Sequence, residues 1–206
     1  MTAITTAEVG GHHESIDVVG QRWRTGVLLL ILADASFVVA LIFAYFYLRG
    51  LNTEGNWLTQ GAHTATIWVG WLVAAVLVAG AAAFRWGVAG LRAGQASRLV
   101  SGAGVAVLLV LVDAGLQLWQ LTSFNFKPDA NAYASSVYTL AGANLFHLLL
   151  TLFIGVGLWN RSRIGKYSAG DRWQVEIVNL WYIWVAVAAL GGALTTSFIA
   201  SPNLGH

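Results

Sequence analysis

Asn144 and His147 stand one helical turn apart in ASSVYTLAGANLFHLLLTLFIGVGLWNRSRIGKY, residues 134–167, a mostly apolar run that closes on Arg161, Arg163 and Lys166. Two carboxyl groups occur in similar surroundings. Asp34 lies inside GVLLLILADASFVVALIFAYFYL, and Asp113 shares a helical face with Gln117 and Gln120. Three chemistries fit these residue types. Asp34, Asp113 and His147 could form a proton or ion path. His147 could ligate a metal or haem. Gln117 and Gln120 could instead face Asn144, His147 and Thr151 and hydrogen-bond between helices. The third is geometrically the easiest, because the two runs involved are sequence neighbours and antiparallel. The cofactor reading is the weakest, since His147 is the only histidine inside an apolar run and no second ligand of the usual kind accompanies it.

Cysteine is absent and the only methionine is Met1, so thiolate and thioether ligation is excluded throughout. No catalytic, cofactor-binding or metal-binding residue is assigned, and no redox centre is expected in this chain. His12-His13 beside Glu14 resembles a surface metal pattern, but adjacent histidines in a polar tail are read here as ordinary tail residues.

The elements that must carry these residues are membrane spans. Of 206 residues, 57% are hydrophobic and 10% charged, against about 25% charged in soluble domains. Residues 1–25 read as a polar cytoplasmic tail, and 26–206 as one membrane domain. Its spans are expected at about 26–48, 65–84, 99–121, 136–159 and 177–200, each long enough for a hydrocarbon core of roughly 30 Å. The fold class is therefore all-α, a five-helix transmembrane bundle. The first run follows a polar stretch and ends without a small-residue cleavage motif, so it is read as a retained span. Gly191-Gly192 in the last span permits close helix packing, and Trp68, Trp86, Trp119 and Trp159 stand near span ends as depth anchors.

Orientation follows from the basic residues. With the N-terminus in the cytoplasm, nine fall inside (Arg22, Arg24, Arg85, Arg92, Arg98, Arg161, Arg163, Lys166, Arg172) and two, Arg49 and Lys127, outside. This asymmetry puts the N-terminus in and the C-terminus out. The net charge of +2 reads as topology rather than nucleic-acid binding. Arg85, Arg161, Arg163 and Lys166 are candidates for lipid headgroups, at about 1 kcal/mol per basic residue near the surface. At 1.5 Å per residue, Asp34 lies about 12 Å inside one end of its span. Asp113 lies about 12–14 Å, and His147 about 16 Å, inside the opposite end of theirs. All three are thus near mid-membrane, where a charged side chain costs roughly 2.5–3.5 kcal/mol. They must face the bundle interior, a partner or a water pocket.

From about residue 26 to 200 the chain resembles subunit III of the haem–copper respiratory oxidases, in its five-span form. Asp34 followed by SFVVALIFAYFYLR is similar to the segment in which a membrane carboxylate precedes a phenylalanine-rich run, with Asp34 at the family's glutamate position. Tyr133, Ser135, Tyr138, Gly142 and His147 match the Tyr-Gly-Ser … Gly-Phe-His-Gly-Leu-His pattern. Arg161, the Gly165-Lys166-Tyr167-Ser168 stretch, Glu176 and Leu180 match the approach to the last span. Asn144 replaces the family's first histidine, and Gln117 its span-three glutamate. Tyr182-Ile183-Trp184-Val185-Ala186 stands where the family has Trp-His-Phe-Val-Asp.

The resemblance implies an accessory, non-catalytic subunit of a terminal oxidase in aerobic respiratory electron transport. Its main partner would be subunit I, with subunit II and other subunits alongside. Haem and copper would reside in the catalytic partner, phospholipid would be bound in a cleft, and the location would be a cell (inner) membrane. Structural or lipid-cleft roles then fall to Asp34, Asp113, Gln117, Asn144, His147 and Glu176, with Glu176 at the cytoplasmic interface near loop basic residues. Two alternatives stay open: an accessory subunit of a nitric-oxide reductase, and a small transporter using Asp34, Asp113 and His147 as a proton relay. Inverted repeats would favour the transporter, but five spans do not divide evenly and no repeat is visible.

Overall fold

A computed structural model of the chain describes residues 15–52, 57–58 and 63–199. His12, His13 and Glu14 lie outside the described residues. Five helices run in order: α1 (Ile16–Leu51), α2 (Ile67–Arg92), α3 (Ala96–Thr122), α4 (Ala132–Arg163) and α5 (Trp173–Thr196). There is no strand among the described residues. All five are long and apolar enough to cross a membrane, so the chain is a multi-pass integral membrane protein.

Helix ends follow local chemistry. Asn131 caps α4 by accepting from the Ala134 N–H at 2.8 Å. Gly94 and Gly165 take positive φ, 77° and 71°, just past the ends of α2 and α4. There the next two backbone N–H groups fold back onto the last turn, Gln95 to Gly90 at 2.9 Å and Lys166 to Arg161 at 3.1 Å.

The helices outrun the expected spans at several ends, and α2 continues to Arg92 rather than stopping near 84. α1 begins at Ile16, ten residues before the apolar run, and its Gly20 and Trp23 lie against Trp173 at the start of α5. α5 stops at Thr196 rather than near 200. The hydroxyls of Thr195, Thr196 and Ser197 bond back to carbonyls one turn earlier, which loosens a helix end. Phe198 then folds onto Phe46, and its carbonyl accepts the Tyr45 O–H at 3.0 Å.

α2, α3, α4 and α5 form a closed ring in which α2 meets α3 and α5, and α4 meets α3 and α5. α1 packs outside it, in the groove between α4 and α5, and touches neither α2 nor α3. Small and aliphatic residues fill the ring, among them Ala74, Leu77, Ala103, Ala106, Val110 and Val185, with the Phe84 ring stacked on Tyr182 at 4.7 Å. The tightest approach is between α2 and α3. A Cβ on Gly102 would sit 2.7–2.9 Å from backbone atoms of Ala83 and Gly87. At Gly191-Gly192, by contrast, an added Cβ meets at most Ile42 of α1 at 3.5 Å, so that pair is not where backbones come closest. A second cluster lies where α1 ends: Tyr45, Trp57 and Tyr133 stack edge to face at 5.1 and 5.6 Å.

Candidate functional site

Where α1 enters the groove, Asp34 meets His147 of α4 and Trp184 of α5. The His147 Nε2 lies 3.0 Å from Asp34 Oδ1 and 2.9 Å from Oδ2, and the Trp184 indole N–H donates to Oδ2 at 2.6 Å. One carboxyl group thereby ties three helices together. His147 is 3% exposed and Asp34 18%, so the carboxyl keeps a narrow path to the outside of the bundle while the imidazole does not. One turn on, Thr151 donates to the His147 carbonyl at 2.7 Å and accepts the Trp181 indole N–H at 2.9 Å. Trp181 and Trp184 thus lock the two sides of the histidine's turn to α5. Their role was not read from the sequence. The available signal was an indole pair three residues apart in a span, since a buried indole N–H needs an acceptor.

Gln117, Gln120 and Asn144 form a separate chain. The Asn144 amide donates to Gln117 Oε1 at 2.7 Å, and the Gln117 amide to Gln120 Oε1 at 2.7 Å. His147 does not bond to Gln117 or Gln120; its partner is Asp34. These side chains and His147 line a cavity of about 70 Å³, together with Thr66, Thr196 and apolar residues such as Val38, Val137 and Ala189. A water needs roughly 10–15 Å³ measured this way, so the cavity has room for water against its polar side chains.

Asp113 belongs to neither group. Its side chain is completely buried on the inner face of α3, and neither oxygen has a hydrogen-bond partner among the described residues. A three-member relay of Asp34, Asp113 and His147 is therefore not joined by hydrogen bonds among these side chains.

Glu176 lies where α2 ends and α5 begins. Arg92 clasps it with two guanidinium nitrogens, one at 2.8 Å, and Arg172 reaches it at 3.2 Å. Arg85 lies on the same side of the bundle, with α1 and α5 residues around it. Arg161 and Arg163 are elsewhere, over the rings of Tyr167 at 5.8 Å and Trp159 at 5.2 Å, and Lys166 is exposed. Burial pushes the Tyr167 phenol up, while the Arg161 guanidinium opposes that shift. The phenol donates to Gln174 at 3.1 Å.

No group of three or more His, Cys, Asp or Glu side chains able to hold a metal occurs among the described residues. Haem or copper would have to find its ligands in a chain without cysteine, whose one intramembrane histidine is already engaged by Asp34. These residues do not fit either cofactor.

The family model described as "Cytochrome c oxidase subunit III" matches residues 2–190. A protein of Prototheca wickerhamii named cytochrome c oxidase subunit 3 is 25% identical, over 89% of this chain and 74% of its own length. One of Marchantia polymorpha with the same name is 23% identical, over 87% and 69%. One of Thermostichus vulcanus, also so named, is 19% identical, over 82% and 86%.

Proposed function

This chain belongs to the cytochrome c oxidase subunit III family, and from that premise we propose how it serves a haem–copper oxidase. It is subunit III of such an enzyme, with a respiratory role, and associates with other oxidase subunits. The observation that carries this is the family match across nearly the whole chain.

The chain packs mainly against the catalytic subunit I, with subunit II nearby, in a cell (inner) membrane with its N-terminus in the cytoplasm. Residues 1–25 form its cytoplasmic segment and 26–206 its membrane domain. Haem and copper reside in the catalytic partner, where they supply electron transfer and oxygen reduction. No step of that chemistry runs through this chain. What its own residues do is hold a shape. Asp34, His147 and Trp184 fix α1 to the ring through polar contacts that lipid cannot replace. The outer face of α1, with Leu29, Leu32, Val39 and Phe43 exposed, is left for acyl chains or a partner subunit. Phospholipid seated against these helices completes the packing.

Tagged protein purified in mild detergent is expected to bring down a many-helix, histidine-rich subunit and to show haem bands in a reduced-minus-oxidised spectrum. A colourless preparation of this chain alone would overturn the reading.

Accessibility also separates the two membrane carboxyls. Asp34 is partly open and Asp113 fully enclosed, so a hydrophobic carboxyl reagent such as a carbodiimide is expected to label Asp34. Asp34→Asn should abolish that labelling while the complex still assembles, because the amide retains an acceptor for Trp184. Loss of the complex in that variant would assign Asp34 an obligatory structural role instead.

A further inference from the structure

The cavity beside His147 is long rather than round. Its lining begins at Thr66, where α2 starts, and at Thr196, where α5 ends. It finishes at Val73 on α2, His147 on α4 and Ala188 on α5. From Val137 to His147 the lining follows about 15 Å of α4, and from Thr196 to Ala188 about 12 Å of α5. The cavity thus leads from one end of the bundle to the depth of the Asp34–His147 pair.

Volume and length agree on what fits. The cavity measures about 70 Å³, and at roughly 10–15 Å³ per water that is room for about five to seven waters. Spaced at about 2.8 Å, the usual O–H···O distance, about five or six waters cover its length. Both estimates describe a single file.

Polar atoms without partners lie along it. The Asn144 amide donates to Gln117 and the Gln117 amide to Gln120. The Asn144 Oδ1 and the Gln120 amide N–H groups are left with no hydrogen-bond partner among the described residues. Nε2 of His147 is taken by Asp34, so Nδ1 is the ring nitrogen left over. Asn144, Gln120 and His147 all line the cavity, with the Thr66 and Thr196 hydroxyls towards its start. A cavity lined by apolar groups alone stays dry, whereas one that offers each water two or more polar partners holds it.

We propose that the cavity binds a single file of water, which joins the aqueous phase at the end where α2 and α4 start to Nδ1 of His147. The file lets the Asp34–His147 pair exchange protons with that end of the bundle alone. Each exchange balances. A hydronium ion in the file gives its proton to Nδ1, Nε2–H passes its proton to an Asp34 carboxylate oxygen, and the imidazole is neutral before and after. One N–H bond forms, one breaks, one O–H bond forms on the carboxyl group, and the hydronium becomes water. Retracing the steps returns the proton to the side it came from. Nothing carries it further. The other partner of the carboxyl is the Trp184 indole, which only donates, and Asp113 on α3 neither lines the cavity nor bonds to the pair. The site is a blind aqueous inlet and not a path across the membrane.

The test is water-edited solid-state nuclear magnetic resonance on the full-length chain in lipid bilayers. The Phe146-His147 dipeptide occurs once in the sequence, so pairwise isotope labelling isolates that ring. Magnetisation is expected to pass from water to His147 Nδ1. Gly70→Leu is the plug. Gly70 lines the cavity, and a Cβ there meets only Thr196 Oγ1 at 3.7 Å and Ala193 Cα at 3.9 Å, ordinary contacts that leave the rest of the side chain to fill the file. The variant should lose the transfer to His147 and keep the unfolding midpoint of the unmodified chain. Absence of transfer in the unmodified chain would overturn the proposal by itself, so the test does not depend on the variant folding. Transfer that persists in folded Gly70→Leu would also overturn it, because water would then arrive past Asp34 from outside the bundle.

Discussion

Gly102→Ala is expected to lower the stability of the purified chain by about 1–3 kcal/mol, the usual cost of forcing atoms into a packed interior, and Gly102→Leu to prevent accumulation of folded protein. The reason is what the new atom meets. Its nearest neighbours at 2.7–2.9 Å are the Ala83 carbonyl and the Gly87 Cα and N, all backbone, so no side chain can swing aside. α2 and α3 must separate along their whole contact. Gly115 on the same helix is the control, since a Cβ there meets nothing within 4 Å. Gly115→Ala should be neutral or slightly stabilising through helix propensity. Denaturation in mixed micelles reads both, and equal midpoints for Gly102→Ala and Gly115→Ala would refute the close approach.

The second large effect is local. Asp34→Leu strips the partner from an almost fully buried imidazole and from the Trp184 indole N–H. Each buried group left unpaired costs about 1–3 kcal/mol, although polar pairs within membranes measure closer to 0.6–1.7 kcal/mol. A loss of about 2–4 kcal/mol is therefore expected, concentrated on α1. Val38 and Tyr45 are the only residues of α1 counted as buried among those described, so little else holds it. The chain has no native cysteine, and Val38→Cys makes a single probe at the α1 contact. Its alkylation should speed up in the Asp34→Leu background, and His147→Phe added to that variant should restore part of the protection by removing the orphaned imidazole. Unchanged alkylation would show that apolar contact alone seats the helix.

How much of this was legible in the sequence depends on how far apart the partners lie along the chain. Five apolar runs announce five spans because lipid demands length and apolarity from each segment on its own. Span order puts Gln117 and Asn144 on neighbouring antiparallel spans, where a hydrogen bond needs only a short connector. Depth arithmetic sets Asp34 and His147 both near mid-membrane, yet they are 113 residues apart. Nothing local says that α1 turns toward α4 and α5 and away from α2. Ring order is decided by where small residues let backbones meet. Gly87 and Gly102 do that, whereas the more conspicuous Gly191-Gly192 pair does not. The arginine clasp on Glu176 was half visible as basic residues at span ends. Its members come from two segments that only the folded bundle brings together.

The seat of α1 also bears on how the protein is made. Among the described helices α1 neighbours α4 and α5 alone, and the Trp184 that completes the Asp34 cluster is 150 residues further along the chain. At roughly 5–20 residues per second, the ribosome needs on the order of 10–30 s to deliver it. Until His147 of α4 arrives, 113 residues on, α1 waits in the bilayer with its carboxyl group unclaimed, held there by its leucines, valines and phenylalanines. Whatever attends the nascent chain must tolerate an unpaired carboxyl group in the bilayer until α4 arrives, and a protein truncated before α5 would leave Asp34 and His147 without the Trp184 indole.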